Sequence, residues 1–119
     1  MSAGSRGQAA ETLACRHLRA AGLVLVERNY RCRRGEIDLV MREADTLVFV
    51  EVRYRRQTSH GSAVESVDWR KQSKLSACAL HYLQNRTQFT RLNCRFDVLA
   101  VNGNDGTIDW IRNAFQARE

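Results

Sequence analysis

A chain of 119 residues is long enough to bury roughly two thirds of its unfolded-chain surface without disulfides or metal, so one globular domain over 1–119 is the expected organisation. No apolar run approaches the ~20 residues of a membrane span, and the start MSAGSRGQAAE has no signal-peptide core, which sets membrane and secreted classes aside and points to the cytoplasm. The net charge of +6 and pI near 9.7 come from arginine, with Lys71 and Lys74 the only lysines. Guanidinium forks match phosphate oxygens bidentately, so this balance favours a nucleic-acid partner, although an arginine-biased proteome would give the same count. Cys15, Cys32, Cys78 and Cys94 show no C-x-x-C pairing and read as reduced thiols rather than zinc ligands.

After a short Gly/Ser tail, Gln8 to Ala21 reads as a helix with the apolar stripe Ala10, Leu13, Ala14, Leu18 and Ala21, ended by Gly22. Glu11 falls on the margin of that stripe, where a carboxylate either looks into a cleft or is merely solvated. Leu23 to Val26 reads as a first strand, and Glu27 to Arg34 as its arginine-rich continuation.

Gly35 to Arg53 then reads as a hairpin with acids planted in two apolar strands. Ile37, Leu39 and Met41 alternate with Glu36, Asp38 and Val40, the period of a strand with one charged face. Leu47 to Val52 resembles a central strand buried on both faces, yet Glu51 interrupts it and Arg53 follows on the same face. If the turn closes symmetrically about Ala44-Asp45, Asp38 faces Glu51 and Glu36 faces Arg53; an odd loop length would turn Glu51 to the other face. Facing carboxylates ~4 Å apart repel by ~4 kcal/mol at an effective dielectric near 20. A divalent cation between them reverses that sign, and hard oxygen ligands suit Mg2+ or Mn2+. Arg28, Arg31, Arg33 and Arg34 before the acidic strand, with Arg53, Arg55 and Arg56 after its partner, bracket the site with positive charge.

Thr58 to Ser66 reads equally as a substrate-facing lid and as plain linker. Ser66 or Asp68 is positioned to cap a helix running to about Asn85, with Leu75, Cys78, Ala79, Tyr82 and Leu83 inward. Its first turn carries Arg70, Lys71, Gln72 and Lys74, and cations there oppose the helix dipole. Arg95 to Val101 and Thr107 to Ile111 read as strands joined by an Asp-Gly turn, with Asp97 expected to pair with an arginine and Trp69 and Trp110 expected to pack, base stacking being the minor alternative for both.

The α-β-β-β-α-β-β order, with Asp on one central strand and Glu-x-basic on the next, resembles the α/β restriction-endonuclease-like core of the PD-(D/E)XK nucleases, a mixed central sheet flanked by helices. More closely, the chain resembles the YraN family of small bacterial proteins, described as similar to Holliday junction resolvases. The matching pieces are Gly7-x-x-Ala10-Glu11, Arg28-Asn29-Tyr30-Arg31, Gly35-Glu36-Ile37-Asp38-Leu39, Phe49-Val50-Glu51-Val52-Arg53, Arg70-Lys71-Gln72-x-Lys74-Leu75, Arg95-Phe96-Asp97-Val98 and Asn113-Ala114-Phe115. The resemblance implies a Mg2+- or Mn2+-dependent endonuclease acting on branched or single-stranded DNA, with Glu11, Asp38 and Glu51 as metal ligands. Where such nucleases carry the catalytic lysine this chain has Arg53, which can hold a phosphate but cannot serve as a base, and Lys71 from the next helix is a candidate replacement. The same substitution fits a module that binds nucleic acid without cutting it, and a protein-interaction scaffold is a third reading. A homodimer is implied only by analogy with resolvases that make two cuts.

Overall fold

The computed structural model describes residues 2–56 and 67–117, with side chains described from Gly7 onward. In chain order the elements are α1 (Ser2–Ala20), β1 (Val24–Cys32), β2 (Gly35–Glu43), β3 (Thr46–Arg55), α2 (Trp69–Asn85), a 3-10 turn (Thr87–Phe89), β4 (Asn93–Asn102) and β5 (Ile108–Phe115). The expected α-β-β-β-α-β-β order is the one found. The segment Thr58 to Ser66, read as lid or linker, lies outside the described residues.

The strands form one mixed sheet in the order β1-β2-β3-β4-β5. Neighbours joined by short turns pair antiparallel, and β3 and β4 pair parallel because α2 lies between them in the chain and returns it to the same end. Gly22 ends α1 with φ 102°, a conformation glycine adopts without a Cβ clash. Asp68 starts α2, its Oδ1 accepting the Lys71 N–H at 2.9 Å.

Each face of the sheet carries a helix and its own core. Ala10, Ala14 and Leu18 of α1 pack on Leu39, Met41, Val48, Val50 and Leu99. Leu75, Cys78 and Tyr82 of α2 pack on Val40, Leu47, Phe49, Phe96 and Val98 on the other side. Full burial of each such Leu, Val or Phe contributes about 1.5–3 kcal/mol, and β3, covered on both faces, supplies an unbroken apolar run up to Glu51. No helix among the described residues is long and apolar enough to cross a membrane.

Four expectations need correction. Ile37 packs in the α2-side core while Leu39 and Met41 pack in the α1-side core, so the alternation along β2 breaks at Asp38. The break has a partner in β1: Asn29 stands between the pairs Arg28–Leu39 and Tyr30–Ile37 with φ 54°, a left-handed geometry that Asn tolerates better than most residues. Cys32 and Cys78 are joined as a disulfide, the end of β1 to the buried face of α2, while Cys15 and Cys94 are free. Their 46-residue separation hid a proximity that only the docking of α2 creates. Trp69 is 61% exposed, because it lies about 200° around α2 from Lys71 and away from the Leu75–Tyr82 face. Leu13 likewise stands at the edge of the α1 stripe, 43% exposed.

Candidate metal centre and phosphate site

The turn at Ala44-Asp45 sets the register from which the site follows. Glu43 pairs with Thr46, and the ladder runs in register to Leu39 and Val50, where the described pairing of β2 with β3 ends. Arg42 Nε donates to Ala44 O at 2.9 Å and Asn93 N donates to Asp45 O at 3.1 Å, holding an Ala-Asp turn that sequence preference alone disfavours. Beyond Leu39 and Val50 a side chain takes over from the main chain. The Val52 N–H donates to Asp38 Oδ2 at 2.8 Å, so Asp38 occupies the mouth of a fork between β2 and β3.

Both faces of the sheet reach that fork. Glu11 arrives from α1, Glu36 and Asp38 from β2, and one oxygen from each of the three lies within 4.8 Å of the others. With the Asn29 amide assigned so that its nitrogen faces these acids, the orientation that satisfies both groups, it donates to Glu11 Oε1 at 3.0 Å and to Glu36 Oε1 at 3.1 Å, so the left-handed residue of β1 ties two carboxylates together. Glu11 also meets Arg28 at 3.6 Å. Burial, with Glu36 adding repulsion, still pushes its carboxyl above the usual range.

Glu51 enters the fork from β3 and is 4% exposed. Arg53 Nη1 and, from α2, Lys71 Nζ both approach its Oε2, at 3.2 and 3.5 Å. Oε1 has no hydrogen-bond donor, one of two such buried side-chain oxygens among the described residues. An orphaned buried acceptor costs about 1–3 kcal/mol. Burial and the neighbouring Glu51 push the Asp38 carboxyl up to about 8, despite the Val52 N–H that favours its charged form. Glu11, Glu36 and Asp38 lie close enough to share one ion, and Glu51, with its unsatisfied buried oxygen, stands beside Asp38, so the fork offers an all-oxygen donor set of the kind that Mg2+ or Mn2+ takes.

Comparison with known proteins places the chain. The model of a family described as Uncharacterised protein family UPF0102 matches residues 10–101. The chain belongs to the UPF0102 family. A UPF0102 protein of Stutzerimonas stutzeri is 53% identical over 115 residues, covering 95% of this chain and 96% of its own. One from Aeromonas hydrophila is 56% identical over 115 residues, covering 96% of this chain and 87% of its own, and one from Pseudomonas aeruginosa is 48% identical over 120 residues, covering 98% and 96%. The family match spans every acid of the fork and Asn29, Arg53 and Lys71 with them.

Within this UPF0102 chain the expected residues separate into those that meet and those that do not. Glu11, Asp38, Glu51, Arg53 and Lys71 converge. Glu36, expected opposite Arg53, instead pairs across to β1, where Arg31 Nε donates to it at 3.2 Å. Arg28 lies beside Glu11, and Arg33 and Arg34 are exposed at the β1–β2 turn. Arg55 turns to the β4–β5 end, donating to Asn102 Oδ1 at 3.0 Å and pairing with Asp109, while Arg56 is exposed at the end of β3. Asn29 and the ligand geometry of Glu36 were missed as site features. The clue available was the Arg28-Asn29-Tyr30-Arg31 string itself, an Asn inside an otherwise extended run and therefore a candidate left-handed residue.

Proposed function

We propose that this protein is a Mg2+- or Mn2+-dependent nuclease that hydrolyses phosphodiester bonds in DNA. The observation that carries the reading is the Asp38–Glu51 pair at the fork, where two carboxylates are pressed together and a buried oxygen of Glu51 is left without a donor. Asp38, Glu51, Glu11 and Glu36 would hold the metal, which when bound polarises the scissile phosphate and makes a water nucleophilic at neutral pH. Asn29 holds Glu11 and Glu36 in place. Lys71 and Arg53, both facing Glu51, are positioned to neutralise charge that develops on the phosphate oxygens as water attacks, and Lys71 supplies from α2 the amine that the Arg53 position lacks. Arg31 near the end of β1, Arg33 and Arg34 on the β1–β2 turn and Arg56 after β3 offer phosphate contacts away from the reacting group.

A second reading keeps the DNA contacts and drops the chemistry. It is favoured by Arg53, which ion-pairs with Glu51 where the resembled nucleases carry lysine. One experiment separates the two. End-labelled single-stranded, duplex and four-way-junction DNA is incubated with the protein in EDTA, Mg2+ or Mn2+, beside Glu51→Gln. Cutting that requires metal and is lost in Glu51→Gln supports the nuclease; binding without cutting supports the second reading; equal cutting by both proteins exposes a contaminant.

A further inference from the structure

The outer face of α2 carries a feature the nuclease reading does not use. Trp69, Ser73, Ala77 and Leu80 line a groove of about 720 Å³ bordered by Arg34, and a smaller hollow of about 260 Å³ continues along Arg33, His81 and Gln84. Trp69 and Leu80 are 61% and 59% exposed, and the Arg70 guanidinium lies 5.6 Å from the centre of a Trp69 ring. None of the described residues lining either hollow is acidic.

We propose that this groove takes an unpaired, single-stranded stretch of the DNA substrate, with Trp69 as the platform on which a base stacks. The inference rests on the nuclease reading and specifies the form of its substrate. Three observations converge on it. An exposed aromatic ring flanked by guanidinium groups is the surface that single strands use, because unpaired bases present free π-faces while the backbone needs cations. A duplex keeps its bases stacked inward and gains nothing from the apolar floor at Trp69 and Leu80. Proximity is the second observation: Arg34 at the rim stands two residues before Glu36 of the acid fork, and Trp69 opens the same helix whose Lys71, on the opposite side, brings Nζ to 3.5 Å from Glu51. A strand that engages both the fork and this groove has to cross only the first turn of α2, a helix about 10–12 Å across. Charge supplies the third. A second copy docked face to face would bring Arg33, Arg34 and Arg70 of each molecule together with no acid among the lining residues to meet them, whereas a polyanion is complementary to all three.

The test uses the full-length protein in EDTA at low salt, so that binding is read without cleavage. Fluorescence anisotropy is measured with labelled oligo(dT) and with a blunt duplex carrying the same number of phosphates, for wild type, Trp69→Ala and Trp69→Phe. Trp69→Ala should bind oligo(dT) about 10-fold more weakly and leave duplex affinity within about 2-fold, and Trp69→Phe should keep most of the single-strand affinity. Melting curves check the fold, which an exposed residue is expected to leave intact. Unchanged oligo(dT) binding by Trp69→Ala, or equal losses on both DNAs, overturns the inference, and so does a wild-type dimer that Trp69→Ala dissociates without altering DNA binding. Metal-dependent cutting with no Trp69 effect sinks the groove alone. A Trp69-dependent preference for single strands without cutting sinks the nuclease alone.

Discussion

Two sets of acids are taken out of solvent in this chain, and they are solved in opposite ways. Asp97, fully buried on β4, accepts from Arg95 Nε at 3.0 Å and Nη2 at 3.3 Å, from Trp110 Nε1 at 2.9 Å and from the Asn113 N–H at 2.9 Å. Arg95 extends the network to Glu43 at 2.8 Å, which Arg112 also reaches at 3.1 Å, and the hydrogen bond from Arg95 helps hold the Glu43 carboxyl below its usual range. In the fork, by contrast, Asp38 and Glu51 face each other, Glu51 Oε1 lacks a donor, and Glu11 and Asp38 are both pushed toward their protonated forms. A buried acid with matched donors belongs to the architecture. One pressed against its own kind leaves a deficit that a cation or a proton can fill.

The sharpest way to break this contrast is to remove one acid from each set. Asp97→Ala leaves Arg95 with a lost partner and strands the Trp110 and Asn113 donors, so stability should fall by about 3–5 kcal/mol in urea denaturation. Asp38→Asn sits beside Glu51 without having to take up a proton on folding and should leave metal-free stability unchanged or higher at pH 7. If Asp38→Asn destabilises as Asp97→Ala does, the fork is architecture after all. Next in size is Glu51→Gln, which keeps the shape and removes the charge: metal-dependent cleavage should drop at least about 100-fold while the urea midpoint in EDTA holds.

Titration sharpens the same comparison. The Asp38 carboxyl sits at about 8 in the folded protein against an ordinary 3.8, so between those values the folded state keeps a proton that the unfolded chain has released. Stability contributed by this group is therefore full below about pH 4 and is lost as pH rises toward 8, with a slope of at most about 1.4 kcal/mol per pH unit. Denaturation in EDTA at pH 5, 6 and 7 should show wild type losing stability relative to Asp38→Asn, by a total of order 2–3 kcal/mol. A Mg2+ or Mn2+ ion bound at the fork would displace that proton, so on the proposed reading metal should raise the melting temperature more at pH 8 than at pH 5.5. A pH-independent difference between the two proteins removes the coupling argument for the pair.

What was legible in the sequence was what local chemistry determines. A two-residue turn at Ala44-Asp45 sets the β2–β3 register, and with it the meeting of Asp38 and Glu51 follows from counting. Asp68 as helix cap and the inner face of α2 follow in the same way from residue type and period. The misses come from contacts between distant segments. Asn29 in a left-handed conformation flips the packing of Ile37 relative to Leu39, which no alternation rule anticipates, and it turns Glu36 from an expected partner of Arg53 into a neighbour of Glu11. The Cys32–Cys78 bond and the exposure of Trp69 depend on how α2 is rotated against β1, a property of the assembled layers.

The smallest expected effect tests the residue that departs from the resembled nucleases. Arg53 Nη1 and Lys71 Nζ approach the same Glu51 oxygen, at 3.2 and 3.5 Å, so the fork already holds a lysine amine supplied by a different element. If Lys71 carries the electrostatic task, Lys71→Ala lowers kcat by about 10–100-fold, and Arg53→Lys, which exchanges one cation for another beside a site that has its amine, changes it by less than about 10-fold. The informative quantity is the ratio of the two effects. A wild type that barely cuts and an Arg53→Lys protein that cuts 100-fold faster would mean that Lys71 is only an ion-pair partner for Glu51, and that the native arginine marks a DNA-binding module whose acid fork has lost its chemistry while keeping its geometry.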